Sequence, residues 1–375
     1  MIGEHQLQVT WDQVFAWRLH RQYVRSRADE GVAAIAERLC GVQAQVTSAA
    51  ELAVALRSVQ PEPGGLVRAL EDGTLLKTWA MRGTLHALTP DLAAACLALI
   101  GSARTWEKPS WQKNFGASPA EVAALTEVVA EVLDGAVLTR EELVEALVSE
   151  PGFHRLGEEL RSGWGALLKP LAWQGVLCHG PARGTKVTFT SPAHLVRDWP
   201  GLPEPDVAAH VAVLGYLRAY GPATPETFDA WLSRNSLRKT TVRRWFAELG
   251  ELLTEVEVEG RRAFLPTDQV DAVAAAAPSA SVHLLGAFDQ YVLGPGTGDT
   301  ILLPAAHRGK VSRTAGWISP IVVVGGRIAG VWELTEDAVA ITMFDGAPLP
   351  KRGLDAAVAH VALAAGREKL TVRAA

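Results

Sequence analysis

The 375-residue chain is 48% hydrophobic and 21% charged, a globular composition on a chain too long for one ordinary core, so two to four modules are expected. No apolar run reaches the roughly 18 residues that would cross a bilayer, and the start "MIGEHQLQVTWDQ" lacks the basic and apolar regions of an export signal; a soluble, cytoplasmic protein without membrane contact is expected. The net charge of −5 gives no whole-chain signal of nucleic-acid binding, so any such role has to rest on local basic patches.

One order of signals occurs three times: helices, a basic amphipathic helix, then a short pair of strands. In the first, "TWDQVFAWRLHRQYV" and "GVAAIAERLCGV" have helical apolar spacing, the latter through Val32, Ile35, Leu39 and Val42. "SAAELAVALRSV" and "GGLVRALEDG" follow, and "LLKTWAMRGTLHALT" reads as strand. The second begins with "SPAEVAALTEVVAEVL" and "TREELVEALVSE", each opened by a capping box, Ser118 with Glu121 and Thr139 with Glu142. "GEELRSGWGALLKPLAWQG" then stands in the place of the basic helix, before two β-like runs in "VLCHGPARGTKVTFTSP". The third runs through "DVAAHVAVLGYLRAYG", "TPETFDAWL" and "SLRKTTVRRWFAELGELL" to "TEVEVEGRRAFLP", a hairpin by its β-branched alternation and Gly260.

This order is the grammar of a winged helix-turn-helix module. The predicted fold is therefore mainly α with β wings, an α+β protein with three tandem modules at 1–115, 116–200 and 201–280. From about residue 281 the short β runs of "SVHLLGAFDQYVLG", "ISPIVVVGGRIAGVWEL" and "AVAITMFDG" predict a β-rich C-terminal extension over 281–375, closed by the helix "LDAAVAHVALAAGREKL".

Two glutamines, Gln43 and Gln45, fall between two predicted helices. On a helix they would diverge by about 200°, whereas in extended backbone they point the same way. Gly41 weakens the end of the first helix, and Ser48 with Glu51 has the form of a capping box for the next, which leaves 43–47 as a non-helical link. Each carboxamide offers an acceptor and two donors without charge, so the pair suits the orientation of a water or of a sugar or base edge. The competing reading is that both amides satisfy backbone groups at a helix junction.

The candidate DNA contacts are basic. Arg82 and His86 flank Gly83 in a β context, and Arg238, Lys239 and Arg243, with Arg244, form a stripe on the third basic helix. Arg183 and Lys186 sit at a Gly-rich hairpin tip; Arg308, Lys310 and Arg313 follow His307 in "AAHRGKVSR". For Arg82 and His86 the competing reading is a wing whose Trp79 and Met81 are core and whose polar residues cap strand ends; each of the other patches also reads as an ordinary solvated face or loop. Cys40, Cys96 and Cys178 are isolated, so neither a disulfide nor a zinc site is expected. There is no GxSxG, GxxxxGK[ST], HExxH or helix-opening GxGxxG motif, and "GPGTGDT" at 294–300 reads as a turn. No metal and no cofactor are expected.

The order "QAQ", "WAMRGTLHALTP", "LLGAFDQYVLG" and "HRGKVSRTAGWISPIVVVGGRIAGVWEL" resembles the AlkZ-like winged-helix DNA glycosylases over nearly the whole chain. The resemblance implies a concave DNA-binding body of three winged-helix modules and a catalytic Gln-apolar-Gln motif, here Gln43, Ala44 and Gln45. A sister branch similar to YcaQ carries Asp at the second polar position, so Gln45 places this chain on the AlkZ-like side. The implied substrate is double-stranded DNA containing N7-alkylated purines, bulky or crosslinked adducts included. The implied reaction is a monofunctional hydrolysis that leaves an abasic site, in DNA repair or in self-resistance to a DNA-alkylating natural product. A monomer acting at the bacterial nucleoid is expected. The fold alone supports equally a noncatalytic winged-helix regulator or architectural DNA binder, and the acidic balance a protein-interaction scaffold.

Overall fold

The computed structural model describes residues 7–374; the start of the chain, on which the export-signal reading partly rests, lies outside them. The fold is mixed α and β, and its contacts group into two units, each assembled from separate stretches of chain. Among the described residues, no helix is long and apolar enough to cross a membrane.

The first unit takes the described residues up to Leu66, Val213–Trp231 and the chain from Phe246 onward. The predicted hairpin is present: Leu253–Val258 pairs antiparallel with Arg261–Pro266. Its turn residues Glu259 and Gly260 both have positive φ, 47° and 82°, the twist that matches a tight two-residue hairpin connection. Val256, Val258 and Leu265 from this hairpin are buried with Val14 and Trp17 of the helix Trp11–Arg21. An aromatic column, Tyr216 to Phe228 to Phe246 to Phe264, runs on from there with ring centroids 5.5, 5.9 and 5.6 Å apart.

The extension forms a five-stranded sheet in the order Val282–Leu285, Ile321–Val324, Arg327–Leu334, Ala338–Met343, Thr371–Ala374. The first four strands pair antiparallel and the last joins in parallel. Alternation sends Val322, Trp332, Val339 and Ile341 toward the closing helix Leu354–Ala364, whose Leu354, Val358 and Val361 share their core. Ile321, Val323 and Ile328 belong to a second core with Phe15 and Leu19.

The second unit comprises Val67–Ala212 and Leu232–Trp245. Its strands lie in the order Leu85–Leu88, Leu76–Trp79, Cys178–Arg183, Lys186–Thr190, Leu138–Thr139. The helix Pro90–Ser102 is apolar nearly all round and is buried from Leu92 to Ile100, as a core helix has to be. Both capping boxes predicted here form: Ser118 and Glu121, then Thr139 and Glu142, exchange reciprocal hydrogen bonds at the heads of Pro119–Val132 and Arg140–Val148.

The segment standing in the place of a basic helix differs from that expectation. It is two short helices, Gly157–Arg161 and Leu168–Trp173, separated by turns. Gly163 and Gly165 are poor helix formers, and Gly165 is at φ 63°. A Cβ on Gly165 would lie 2.5 Å from Cζ2 of Trp79, so only glycine permits this approach.

Candidate active site and nucleic-acid interface

The helix Val32–Arg38 ends in a turn that expels the glutamine stretch from helical geometry. Cys40 is left-handed at φ 51°, Gly41 lies at φ 95°, and the amides of Gly41 and Cys40 donate to the carbonyls of Ala36 and Glu37 at 2.8 and 2.9 Å. Those are the two bonds of a Schellman cap. The chain leaves it extended, with Val42–Gln43 as strand, and the next helix is Thr47–Ala55. The stretch from Gln43 to Gln45 is thus non-helical, as predicted. The capping box expected at Ser48 and Glu51 does not form: Val46 is the N-cap and there is no side-chain cap bond. Packing decides the start instead, because Val46 and Ala49 pack into the core that contains Phe288 and Val311.

The two amides sit in different environments. Gln43 is 6% exposed, between the fully enclosed Val42 and Ala44, whereas Gln45 is exposed. In the free protein solvent reaches Gln45 readily and Gln43 hardly at all.

Below this stretch, the helix Thr47–Ala55 leads to Arg57, whose guanidinium grips both carboxylate oxygens of Asp289 at 2.8 Å. Arg57 also donates to the carbonyls of Gln22 and Ala53, each at 2.9 Å. Asp289 caps the short helix Gln290–Leu293 by accepting from the Tyr291 amide at 2.8 Å. Gly286 lies against Leu52, which a Cβ there would meet at 3.3 Å. The "FDQ" of the extension and the helix following the two glutamines are therefore one rigid piece. Sequence reading missed this pair; the only local signals were an arginine in the apolar run "ALRSV" and an aspartate inside "LLGAFDQYVLG".

Of the basic candidates, the first unit holds Arg308, Lys310 and Arg313, all exposed. Arg308 and Lys310 lie on the short helix Arg308–Val311, whose Val311 is buried in the same core as Ala49. Lys310 Nζ stands 5.5 Å from the Phe344 ring centre, and Arg308 reaches the Thr297 hydroxyl at 3.4 Å. The "GPGTGDT" stretch carrying Thr297 is turn and coil, as expected.

The second unit holds Arg82, His86, Arg183, Lys186, Arg238, Lys239 and Arg243. Arg238, Lys239 and Arg243 are exposed at the head and along the helix Lys239–Glu248. Their neighbour Arg244 is bound to Asp206 at 2.7 and 2.9 Å; these bonds, then one from the Trp245 indole, pull the Asp206 carboxyl down to about 2. The hairpin-tip cations are also paired, Arg183 with Glu142 at 3.0 Å and Lys186 with Glu141 at 3.8 Å. Arg82 occupies a left-handed turn at φ 59° between its two strands.

His86 departs from the expectation that it reads a groove. Its side chain is fully buried in the strand Leu85–Leu88, and one ring nitrogen meets the Thr84 carbonyl at 3.0 Å. Burial, helped by the Arg82 charge, pushes its pKa down to about 3, so the ring is neutral and enclosed. All four residues of this strand are buried, so both of its faces are covered and neither register would leave His86 in solvent; the packing that covers the second face comes from elsewhere in the chain and is not written in the local sequence. Among the described residues no group of three or more His, Cys, Asp and Glu is placed to hold a metal.

Comparison with known proteins gives a consistent picture. The family model described as "DNA glycosylase AlkZ-like" matches residues 36–367. The interstrand DNA cross-link repair glycosylase of Streptomyces sahachiroi is 52% identical over 369 residues, 98% of this chain and 100% of that protein. The solved structure of Streptomyces sahachiroi DNA glycosylase AlkZ superposes with a TM-score of 0.95, covering 98% of this chain and 100% of that one.

Proposed function

The chain belongs to the AlkZ-like DNA glycosylase family, and on that premise we propose that it hydrolyses the N-glycosidic bond of N7-alkylated purines in duplex DNA, bulky adducts and interstrand crosslinks among them. It is a DNA glycosylase, a hydrolase acting on N-glycosyl bonds. The crosslink specificity is taken from the name of its Streptomyces relative.

The observation that carries the reading is the extended stretch from Gln43 to Gln45, exposed at one end and anchored through a helix to the buried Arg57 and Asp289 pair. Alkylation at N7 makes a purine cationic and a good leaving group, so strong protonation of the base is unnecessary. As the glycosidic bond lengthens, the sugar gains positive charge. Gln45 is the amide that reaches it, its carbonyl oxygen facing the developing cation or holding the attacking water. Gln43 supplies a second neutral amide from the buried end of the stretch, since an ordered water needs two to four polar partners. Fixed amide dipoles act without reorganising, which is where such a site gains its rate. No lysine lies within the motif, so the product is an abasic site rather than a Schiff base.

The blocks 1–115, 116–200 and 201–280 act as winged-helix modules on the phosphate backbone, with 281–375 as the extension, and the protein works as a monomer at the nucleoid. The test is release of free 7-methylguanine from a methylated duplex by purified protein, alongside unhooking of a crosslinked duplex. Duplex binding without any base release would leave a noncatalytic DNA-binding protein.

A further inference from the structure

The second unit contains a cavity of about 440 Å³. Trp111, Phe115, Trp164 and Trp173 line it with aromatic rings, and Arg82, Lys169 and Arg234 with cations. Among the described residues no aspartate or glutamate lines it. Trp164 is 78% exposed, and the glycine that follows it, Gly165, lies close against the Trp79 ring. Trp111 and Phe115 stand one helical turn apart on Pro109–Phe115 with ring centroids 5.1 Å apart. Trp173 is itself buried, and its indole N–H has no hydrogen-bond partner among the described residues. Arg234 and Asn235 are both left-handed, at φ 58° and 60°, a conformation that asparagine tolerates and that is costly for the arginine. Burial, and after it the Arg234 charge, push the Lys169 pKa down.

We propose that this cavity holds one unpaired nucleotide of the DNA, its base stacked on Trp164 and the neighbouring rings and its phosphate among Arg82, Lys169 and Arg234. The proposal rests on the chain being a DNA glycosylase that acts on distorted duplex. Aromatic faces with cations and no carboxylate are the chemistry of single-strand binding, because every base has a π face and every nucleotide a phosphate. The volume is of the order that small-ligand pockets have, roughly 300 to 1,000 Å³, so it admits one nucleotide and no duplex. A base stacked within a helix cannot present its face to Trp164; one displaced beside a bulky adduct can. Holding it would favour the opened DNA over the closed.

Trp164→Ala is the decisive variant, since so exposed a side chain can be removed without disturbing a core. Binding is compared between a fully paired duplex and the same duplex with a one-nucleotide bulge carrying 2-aminopurine. Wild type is expected to bind the bulged DNA more tightly and to quench its fluorescence. Trp164→Ala and Arg234→Ala should each weaken bulge binding, the first by about tenfold, and Trp164→Ala should change paired-duplex binding by less than about twofold. Equal bulge binding by wild type and folded Trp164→Ala overturns the proposal. So does a polyglutamate peptide that displaces bulged DNA from wild type but binds Trp164→Ala weakly, which assigns the cavity to an acidic protein partner. Excision of 7-methylguanine from paired duplex, followed in the same preparations, fails if the glycosylase substrate is wrong and leaves the bulge measurement to judge the cavity separately.

Discussion

Arg57 and Asp289, 232 residues apart in sequence, meet in a two-pronged ion pair with neither side chain exposed to solvent. The guanidinium is further held by two backbone carbonyls and the carboxylate by a backbone amide, so both charges are solvated by the protein itself. The pair ties the helix that begins just after Gln45 to the extension, and so anchors one end of the glutamine stretch.

Removing one member of that pair leaves a bare charge in the core. Asp289→Leu and Arg57→Met should each lower the stability of the first unit by about 3 to 5 kcal/mol, whereas the two combined should recover much of the loss. Urea unfolding of the two singles and the double measures the coupling. Losses that simply add would show that the charges do not depend on one another.

Binding and catalysis should separate at the two glutamines. Gln45→Ala, and to a similar or lesser degree Gln43→Ala, is expected to slow 7-methylguanine release by roughly a hundredfold, on the order of 3 kcal/mol in the transition state. DNA affinity should hardly change, because neutral amides contribute little to phosphate-driven binding. The environments add a second contrast: loss of the buried Gln43 amide should also cost about 1 to 3 kcal/mol in stability, and loss of the exposed Gln45 under about 0.5. Single-turnover excision, fluorescence binding and urea melts read all three. Unchanged excision in the folded double alanine variant would remove both residues from the chemistry.

The basic residues should divide by whether an acid already holds them. Arg308→Ala and Lys310→Ala remove exposed cations that form no ion pair among the described residues. Each should flatten the dependence of log affinity on log salt by about one unit. Arg183→Ala removes a cation already neutralised by Glu142, and its effect on the slope should be markedly smaller. Binding titrations from low to physiological salt test the ranking, and an Arg183 effect equal to that of Arg308 would reverse it.

Acid should weaken the second unit through its enclosed histidines. Burial pushes His86 and His179 down to about 3 from an ordinary 6.5. As pH falls below 6.5 the unfolded chain takes up these protons before the folded one does, so stability is intact above that value and declines toward 3. Each histidine contributes a slope of about 1.4 kcal/mol per pH unit across the window. Urea midpoints between pH 7.5 and 4.5 should fall, and His86→Leu should make the fall shallower by one proton. A slope unchanged in His86→Leu would mean that the ring is protonated in the fold.

Local hydrogen bonding and backbone sterics are written in short stretches of sequence, and what depends on them was legible there. Ser118 with Glu121 and Thr139 with Glu142 open the helices that their spacing predicts. Gly260 turns its hairpin, and Gly41 ends its helix so that Gln43 and Gln45 lie on extended chain. Other features depended on partners far away in sequence. Burial of Val46 and Ala49 starts a helix at Thr47 where a capping box pointed to Ser48. Gly165 packs against the distant Trp79 ring, and Trp164 beside it is left exposed. His86 faces inward, Arg183 and Lys186 find carboxylates, and Arg57 finds Asp289. A side chain's burial and its charge partner are set by whichever surface folds against it, and a chain read in order carries no record of that surface.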